Sequence, residues 1–319
     1  MIKTNTDIGR KKIFTLSIFL TALILLTNCS NQEKENDWTK NDLRGQVKTY
    51  NQISYKAEKR FGKIEKGERD AGGNLIGYDL RRKYNDKGDE IEMNWYNSNG
   101  SLEEKFIYKY KYNDKGDKVE MNSYNSDGSL NGKFIYEYDE RGNKIKMNYF
   151  ESDGQLYKKR IYKYDKKNNM IEMNYYMSSV GFVKKRTYKY DKEGRNIETN
   201  YFRSDKTLSV KEIYEYDEKG NKIEQKRYDS DGILHGRTTY KYDERGSKNE
   251  EETYFDGNLN SKFSYRWTYE YDEKGNWTKR IEFESGSPAY ILEREYEYYE
   301  WYVDWKEVLL AKVIMRNYL

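Results

Sequence analysis

The sequence predicts an all-β chain: a tandem array of antiparallel β-hairpins, a β-solenoid or spiral sheet of about 26 residues per repeat, with a short C-terminal helical cap. Three observations predict it. A glycine follows each tyrosine-rich segment, at Gly88, Gly116, Gly142, Gly194, Gly220, Gly246 and Gly275, with Asn168 in the same place, and successive spacings are 28, 26, 26, 26, 26, 26 and 29. Such a period marks stacked copies of one supersecondary unit. The arms on either side of each glycine alternate in polarity with period two, which is the spacing of strands and not of helices. Between the arms the recurring Asp-x-x-Gly, as in Asp139-Glu140-Arg141-Gly142, has the chemistry of a hairpin turn.

Taken in chain order, the first element is an export segment. Arg10-Lys11-Lys12 precedes an apolar run from Ile13 to Leu26, too short for an ordinary membrane span and suited to the hydrophobic region of a secretory signal. Residues 1–28 are therefore set apart from the fold. Cys29 is the sole cysteine, so no internal disulfide forms. Residues 29–45, with Glu33, Glu35 and Asp37 and no periodicity, read as a flexible tether.

Residues 46–288 hold the repeats. In one unit Phe134, Tyr136 and Tyr138 alternate with Ile135 and Glu137, and Ile145, Met147 and Tyr149 alternate with Lys144, Lys146 and Asn148. Between them, Asp139-Glu140-Arg141-Gly142 suits a type I turn, with Asp bonding the turn backbone and Gly supplying the left-handed residue of a bulge. A second turn follows at Ser152-Asp153-Gly154. Gly62, 26 residues before Gly88, marks a degenerate first unit. The aromatic eight residues after each reference glycine (Tyr96, Tyr124, Phe150, Tyr176, Phe202, Tyr228, Tyr254, Phe283) breaks parity with Met147. Either a bulge rotates it inward or both faces are partly covered. In residues 289–319, Asp304-Trp305-Lys306-Glu307 has capping-box spacing, and Trp305, Val308, Leu309, Val313 and Met315 follow at near-helical intervals. A helix there would cap the open end of the array.

Two resemblances follow from these residues. Leu26-Thr27-Asn28-Cys29 resembles a bacterial lipobox, which implies lipid attachment at Cys29 and a place in the bacterial cell envelope, at the outer membrane; the acidic stretch after it resembles a surface-export signal. The alternative is a signal cut elsewhere. Tyr136-Glu137-Tyr138-Asp139-Glu140-Arg141-Gly142-Asn143 and its copies at Tyr214–Asn221 and Tyr269–Asn276 resemble the YD repeats of RHS-type proteins over about residues 50–285. That family implies a spiralling sheet which in long members wraps a toxin domain. This chain departs from that pattern: it has too few units for a closed shell, no recognisable RHS core motif and no appended effector domain.

The search for chemistry returns little. His235 is the only histidine and follows Leu234 just after a turn, where a surface residue is expected, with no second His or nucleophilic Cys beside it; no Ser-His-Asp or zinc-ligand spacing is seen. The signature Asp is read as turn-forming rather than calcium-binding, because Arg141 stands amid the would-be ligands. No enzyme, metal or cofactor is expected. Net charge is +4, of which Lys3, Arg10, Lys11 and Lys12 against Asp7 contribute +3, leaving no basic stripe for nucleic acid. Seven residues after each glycine comes a variable row: Trp95, Ser123, Tyr149, Tyr175, Tyr201, Arg227, Thr253. Trp95, Tyr149, Tyr175 and Tyr201 are candidate ligand-stacking residues, against the alternative of ordinary sheet packing. The expected function is a non-enzymatic, lipid-anchored envelope protein that binds polysaccharide or a protein partner. An immunity or accessory protein of a toxin system is the alternative.

Overall fold

Each arm is an alternating segment and each junction offers a residue able to take positive φ, so hairpin follows hairpin. The computed structural model describes residues 36–70, 79–255 and 258–300. A single helical turn, α1 (Asp37–Lys40), precedes nineteen strands. The first are β1 (Val47–Arg60), β2 (Lys63–Arg69), β3 (Asp79–Tyr84), β4 (Glu90–Tyr96), β5 (Leu102–Tyr112) and β6 (Lys118–Tyr124). There follow β7 (Leu130–Tyr138), β8 (Lys144–Glu151), β9 (Leu156–Tyr164), β10 (Met170–Met177), β11 (Gly181–Tyr190), β12 (Asn196–Phe202) and β13 (Leu208–Tyr216). The last are β14 (Lys222–Tyr228), β15 (Leu234–Tyr242), β16 (Lys248–Phe255), β17 (Asn258–Tyr271), β18 (Trp277–Glu284) and β19 (Ser287–Tyr298).

From β3 to β19 each strand pairs antiparallel with the next, and the ring then closes. β19 pairs with β1 from Val47↔Tyr298 to Lys56↔Tyr290. On its other side β1 pairs with β3 over Thr49–Gln52. Its far half, Ala57–Arg60, folds back on β2 as a separate hairpin. All nineteen strands but β2 are in the ring, which makes eighteen. This corrects the expected open solenoid: the sheet is a closed antiparallel β-barrel, and the units do suffice to enclose a space. Closure also removes the need for a helical cap, since the terminal strand's edge is consumed by β1. Residues 289–298, expected in the capping segment, belong to strand β19 (Ser287–Tyr298); the helix expected over Trp305–Met315 lies outside the described residues. The tether is shorter than expected as well, because α1 belongs to the fold.

The turns form as read. Gly142 has φ +83°, its N–H donates to the Asp139 carbonyl at 3.0 Å, and Asp139 Oδ1 accepts from the backbone N–H of Arg141 (3.0 Å) and Asn143 (2.8 Å). Where the repeat lacks glycine, Asn168 takes φ +67°. These turns make one rim of the barrel; the second turns, such as Glu151–Gly154, make the other.

Ladder partners share a face, so the register sorts the side chains. One face carries Tyr136, Met147, Arg160 and Tyr175. It is the concave, inner face: α1 sits on it, with Trp38 packed against Tyr50 and Tyr84 and Asp37 Oδ2 3.6 Å from the Lys118 ammonium of β6. The convex face carries Lys–Glu ladders, among them Lys111–Glu120 (2.9 Å), Lys163–Glu172 (2.8 Å), Lys189–Glu198 (2.8 Å) and Lys241–Glu250 (2.6 Å). These lysines are 62–73% exposed. A charged outer wall of this kind is not the apolar band of a transmembrane barrel.

The parity break is a bulge, repeated at Ser123/Tyr124, Tyr149/Phe150, Tyr175/Tyr176 and Tyr201/Phe202. The aromatic does not rotate inward. It stays on the convex face beneath a cation: Lys109 over Tyr124 at 4.9 Å, Lys159 over Tyr176 at 4.9 Å, Lys185 over Phe202 at 5.7 Å.

Tyrosine hydroxyls join the hairpins. Tyr138 donates to the Lys118 carbonyl (2.8 Å), Tyr164 to Lys144 (2.9 Å), Tyr190 to Met170 (2.7 Å), Tyr216 to Asn196 (2.6 Å) and Tyr242 to Lys222 (2.8 Å), always 20 residues back. Tyr269 and Tyr296 do the same to Lys248 and Trp277, and Tyr299 reaches the Tyr84 carbonyl across the seam. The ring thus covers the wall while its O–H ties one repeat to the previous one.

The densest packing is at the seam. Trp38, Leu43, Val47, Tyr50 and Tyr84 form one buried cluster, with Leu80, Tyr296 and Tyr298 against it. The Trp38 indole N–H donates to the Val47 carbonyl at 2.7 Å. Asn36 caps α1 through Thr39 and is itself tied to the Lys87 carbonyl, which places the helix inside the first-turn rim.

Candidate functional site

An eighteen-stranded ring is wide enough to leave an aqueous lumen. What faces that lumen is set by parity. The concave positions of β8 to β12 are Met147 and Tyr149, Lys158, Arg160 and Tyr162, Met173 and Tyr175, Lys184, Arg186 and Tyr188, then Thr199 and Tyr201.

Three of the four expected stacking residues come together here. Tyr149, Tyr175 and Tyr201 sit on alternate strands, two ladder spacings or about 10 Å apart. Each is half-buried. Tyr149 leans on Phe134 at 4.6 Å between centroids and lies under Lys158 at 4.6 Å. Tyr175 is flanked by Lys184 (5.3 Å) and Arg160 (5.8 Å). Arg186 lies over Tyr201 at 4.8 Å, and the Tyr201 hydroxyl donates to Glu212 Oε2 at 2.9 Å. Trp95 is on the same face but apart, packed edge-on against Phe106 at 5.9 Å, with buried Ser123 of β6 between it and Tyr149.

The four cations were not anticipated. Lys158 and Arg160 stand six and four residues before Tyr164, and Lys184 and Arg186 stand likewise before Tyr190. Other units have Gly132 and Phe134, Val210 and Glu212, or Gly236 and Thr238 at these places. A column-by-column comparison of repeats would have exposed them, whereas net charge hides them. Among the described residues none of the four forms an ion pair, while the concave cations Arg82 and Arg227 are within ion-pair reach of Glu90 (2.7 Å) and Glu212 (3.6 Å). The Arg186 Nε is buried and has no hydrogen-bond partner. Burial, with Arg160 nearby, pushes the Lys158 ammonium below the usual lysine range.

The remaining candidates stay scattered. His235 is exposed, with Nε2 3.2 Å from Asp229 Oδ2. Asp139 spends both carboxylate oxygens on its own turn, Oδ2 accepting from Asn143 Nδ2 at 3.0 Å. No cluster of three metal-ligating His, Cys, Asp or Glu occurs among the described residues. Cys29 lies outside them. Two shallow depressions, of about 590 and 450 Å³, sit by the Asn113–Asp117 turn and under Phe150 on the convex side, neither on the arc.

No family model matches the chain, and no curated protein does. Among solved structures it is similar to a porin-like protein from Bacteroides uniformis at 9% identity and a TM-score of 0.40, covering 79% of this chain and 98% of that one. A porin-like protein from Bacteroides vulgatus gives 13% and 0.36, with 79% and 99% covered. A TcdB2-TccC3-Cdc42 complex gives 12% and 0.34 over 70% of this chain, which spans only 15% of that one. Likenesses this distant concern the sheet and bring no activity with them.

Proposed function

We propose that this is a non-enzymatic, lipid-anchored protein of the bacterial cell envelope, built on YD-like repeats, whose barrel wall binds a polysaccharide along Tyr149, Tyr175 and Tyr201. The observation that carries the reading is this arc of half-buried rings at regular spacing on a concave wall. Aromatic faces stack on the apolar faces of sugars, and a curved row offers several such contacts to one chain. The charged convex face supports a barrel held at a membrane by an anchor at Cys29 rather than one that spans it. From Cys29 to Asn36 is 36 − 29 = 7 residues, at most about 25 Å of chain. The first-turn rim, where Asn36 is bonded, then faces the outer membrane, and the opposite rim faces away.

A glycan and surface-protein binding panel tests the reading. Replacing Tyr149, Tyr175 and Tyr201 together by Ala, with the far-ultraviolet spectrum and melting unchanged, is expected to abolish glycan binding. Unchanged binding, or binding only to a protein partner, contradicts it.

A further inference from the structure

The wall between β8 and β12 carries more cationic charge than its surroundings need. On the convex face many lysines have a glutamate partner, and Glu172 alone holds both Lys163 and Lys185, at 2.8 and 2.9 Å, while Lys109, Lys133 and Lys159 lie over aromatic rings instead. Elsewhere in the lumen Arg82 is bonded to Glu90, and Lys248 to Glu251 at 2.5 Å. Lys158, Arg160, Lys184 and Arg186 have no such partner among the described residues. They occupy the same two columns of two successive repeats; the corresponding places of β5, β7, β13, β15 and β17 hold no cation, and Arg294 of β19, in the second column, is bonded to Gln52 Oε1 at 2.9 Å.

Unpaired like charges held on one partly desolvated surface are costly, and an arriving anion relieves that cost. Arg186 already presents a buried, unpartnered Nε, an unmet donor whose loss of solvent nothing in the fold offsets. Each cation also borders an aromatic ring, so one ligand can stack and form an ion pair at the same place. Further round the lumen the carboxylates are matched by cations, Glu251 by Lys248 (2.5 Å) and Glu282 by Arg280 (3.6 Å), so unmatched positive charge draws a polyanion to the arc.

Resting on the polysaccharide reading above, we propose that the arc selects acidic polysaccharides, with Arg160 and Arg186 pairing with carboxylate or sulfate groups while Tyr175 and Tyr201 stack on the adjoining sugars. The two arginines stand on alternate strands, about 10 Å apart. They therefore take two anionic groups of one chain rather than one group jointly. Guanidinium groups suit both carboxylate and sulfate geometry, because their paired donors meet paired oxygens.

The test uses the full-length protein in detergent and titrates polygalacturonate against its fully methyl-esterified form, which keeps the sugar backbone and removes the charge. Dextran sulfate against dextran, and a single-stranded oligonucleotide, complete the set. Polygalacturonate or dextran sulfate is expected to bind roughly tenfold or more tighter than its neutral counterpart, the worth of one charge-assisted contact. The arm that shows the larger ratio identifies the group. In R160Q/R186Q the preference is expected to vanish while melting is kept, whereas the convex control K163Q retains it. Equal binding of charged and neutral forms overturns the acidic preference and leaves the polysaccharide reading standing. Binding of no polysaccharide overturns both. Equal or tighter binding of the oligonucleotide, or an equal loss in K163Q, overturns the assignment to this arc.

Discussion

The seam and the repeat wall of the barrel are made in different ways. At the seam Val47, Tyr50, Tyr84, Ile291 and Leu292 are at most 2% exposed, and α1 adds Trp38 and Leu43. Along β5 to β16, by contrast, Met147 and Met173, 7% and 8% exposed, are the only buried hydrophobic side chains among the described residues. The wall is held instead by ladders, turn hydrogen bonds and the tyrosine O–H ties, each small and each repeated. What the contrast teaches is that a repeated hairpin extends a sheet but does not close it. Closing joins residues about 246 positions apart, such as Tyr50 and Tyr296, and unrepeated sequence does that work.

If stability is concentrated at the seam, one change there outweighs any one change in the wall. Trp38→Ala removes an indole from the cluster and leaves the Val47 carbonyl without its donor. We expect a loss of about 3–5 kcal/mol in denaturant unfolding. A loss under about 1 kcal/mol would show that α1 is an ornament and that the wall closes itself.

The wall's ties are weaker singly and strong together. Tyr190→Phe deletes one, for about 1 kcal/mol. Ionisation removes all of them at once. Burial pushes the Tyr138 and Tyr164 hydroxyls up to about 12 from an ordinary 10.0. The folded state thus favours the protonated phenol, so this contribution is whole below pH 10 and is lost as pH rises towards 12. Stability measured with phenolate absorbance is expected to fall across that window. A stability flat through pH 12 would mean that the hydroxyls contribute nothing.

The smallest effect concerns a turn. Lys206 takes φ +68° in the position its sister turns give to Gly128, Gly154 and Gly232. A side chain there is strained, so Lys206→Gly is expected to add about 0.5–1 kcal/mol. A destabilised variant would show that the turn tolerates the strain.

Much of the fold was legible because it is local. Strands and both turn types follow from alternation and from Asp and Gly within about ten residues of each other, and Asp139 and Gly142 do as their chemistry requires; the bulge was only one of two readings of the parity break, and its aromatic does not turn inward as that reading had it. Closure was not legible, since β1 and β19 carry no mark of each other in sequence. Residues 36–45 looked like a tether because Trp38 and Leu43 are their only large apolar side chains, and what they pack on is brought there by the ring. The candidate site was half legible: Tyr149, Tyr175 and Tyr201 stood out as a row, whereas Lys158, Arg160, Lys184 and Arg186 were masked by lysines of the convex face. Trp95 belongs to the same row in sequence but is four strands from Tyr149.

Whether the seam exists is the claim on which the rest depends, and a distance between spin labels decides it. Asn51→Cys and Glu295→Cys, in a Cys29→Ser background, place labels on exposed residues directly opposite each other in the β1–β19 ladder. Ladder partners have Cβ atoms about 5 Å apart, so strong short-range dipolar coupling is the result expected. An open array of the same hairpins would hold the two positions roughly 80 Å apart, and finding no short-range coupling would contradict the closed barrel.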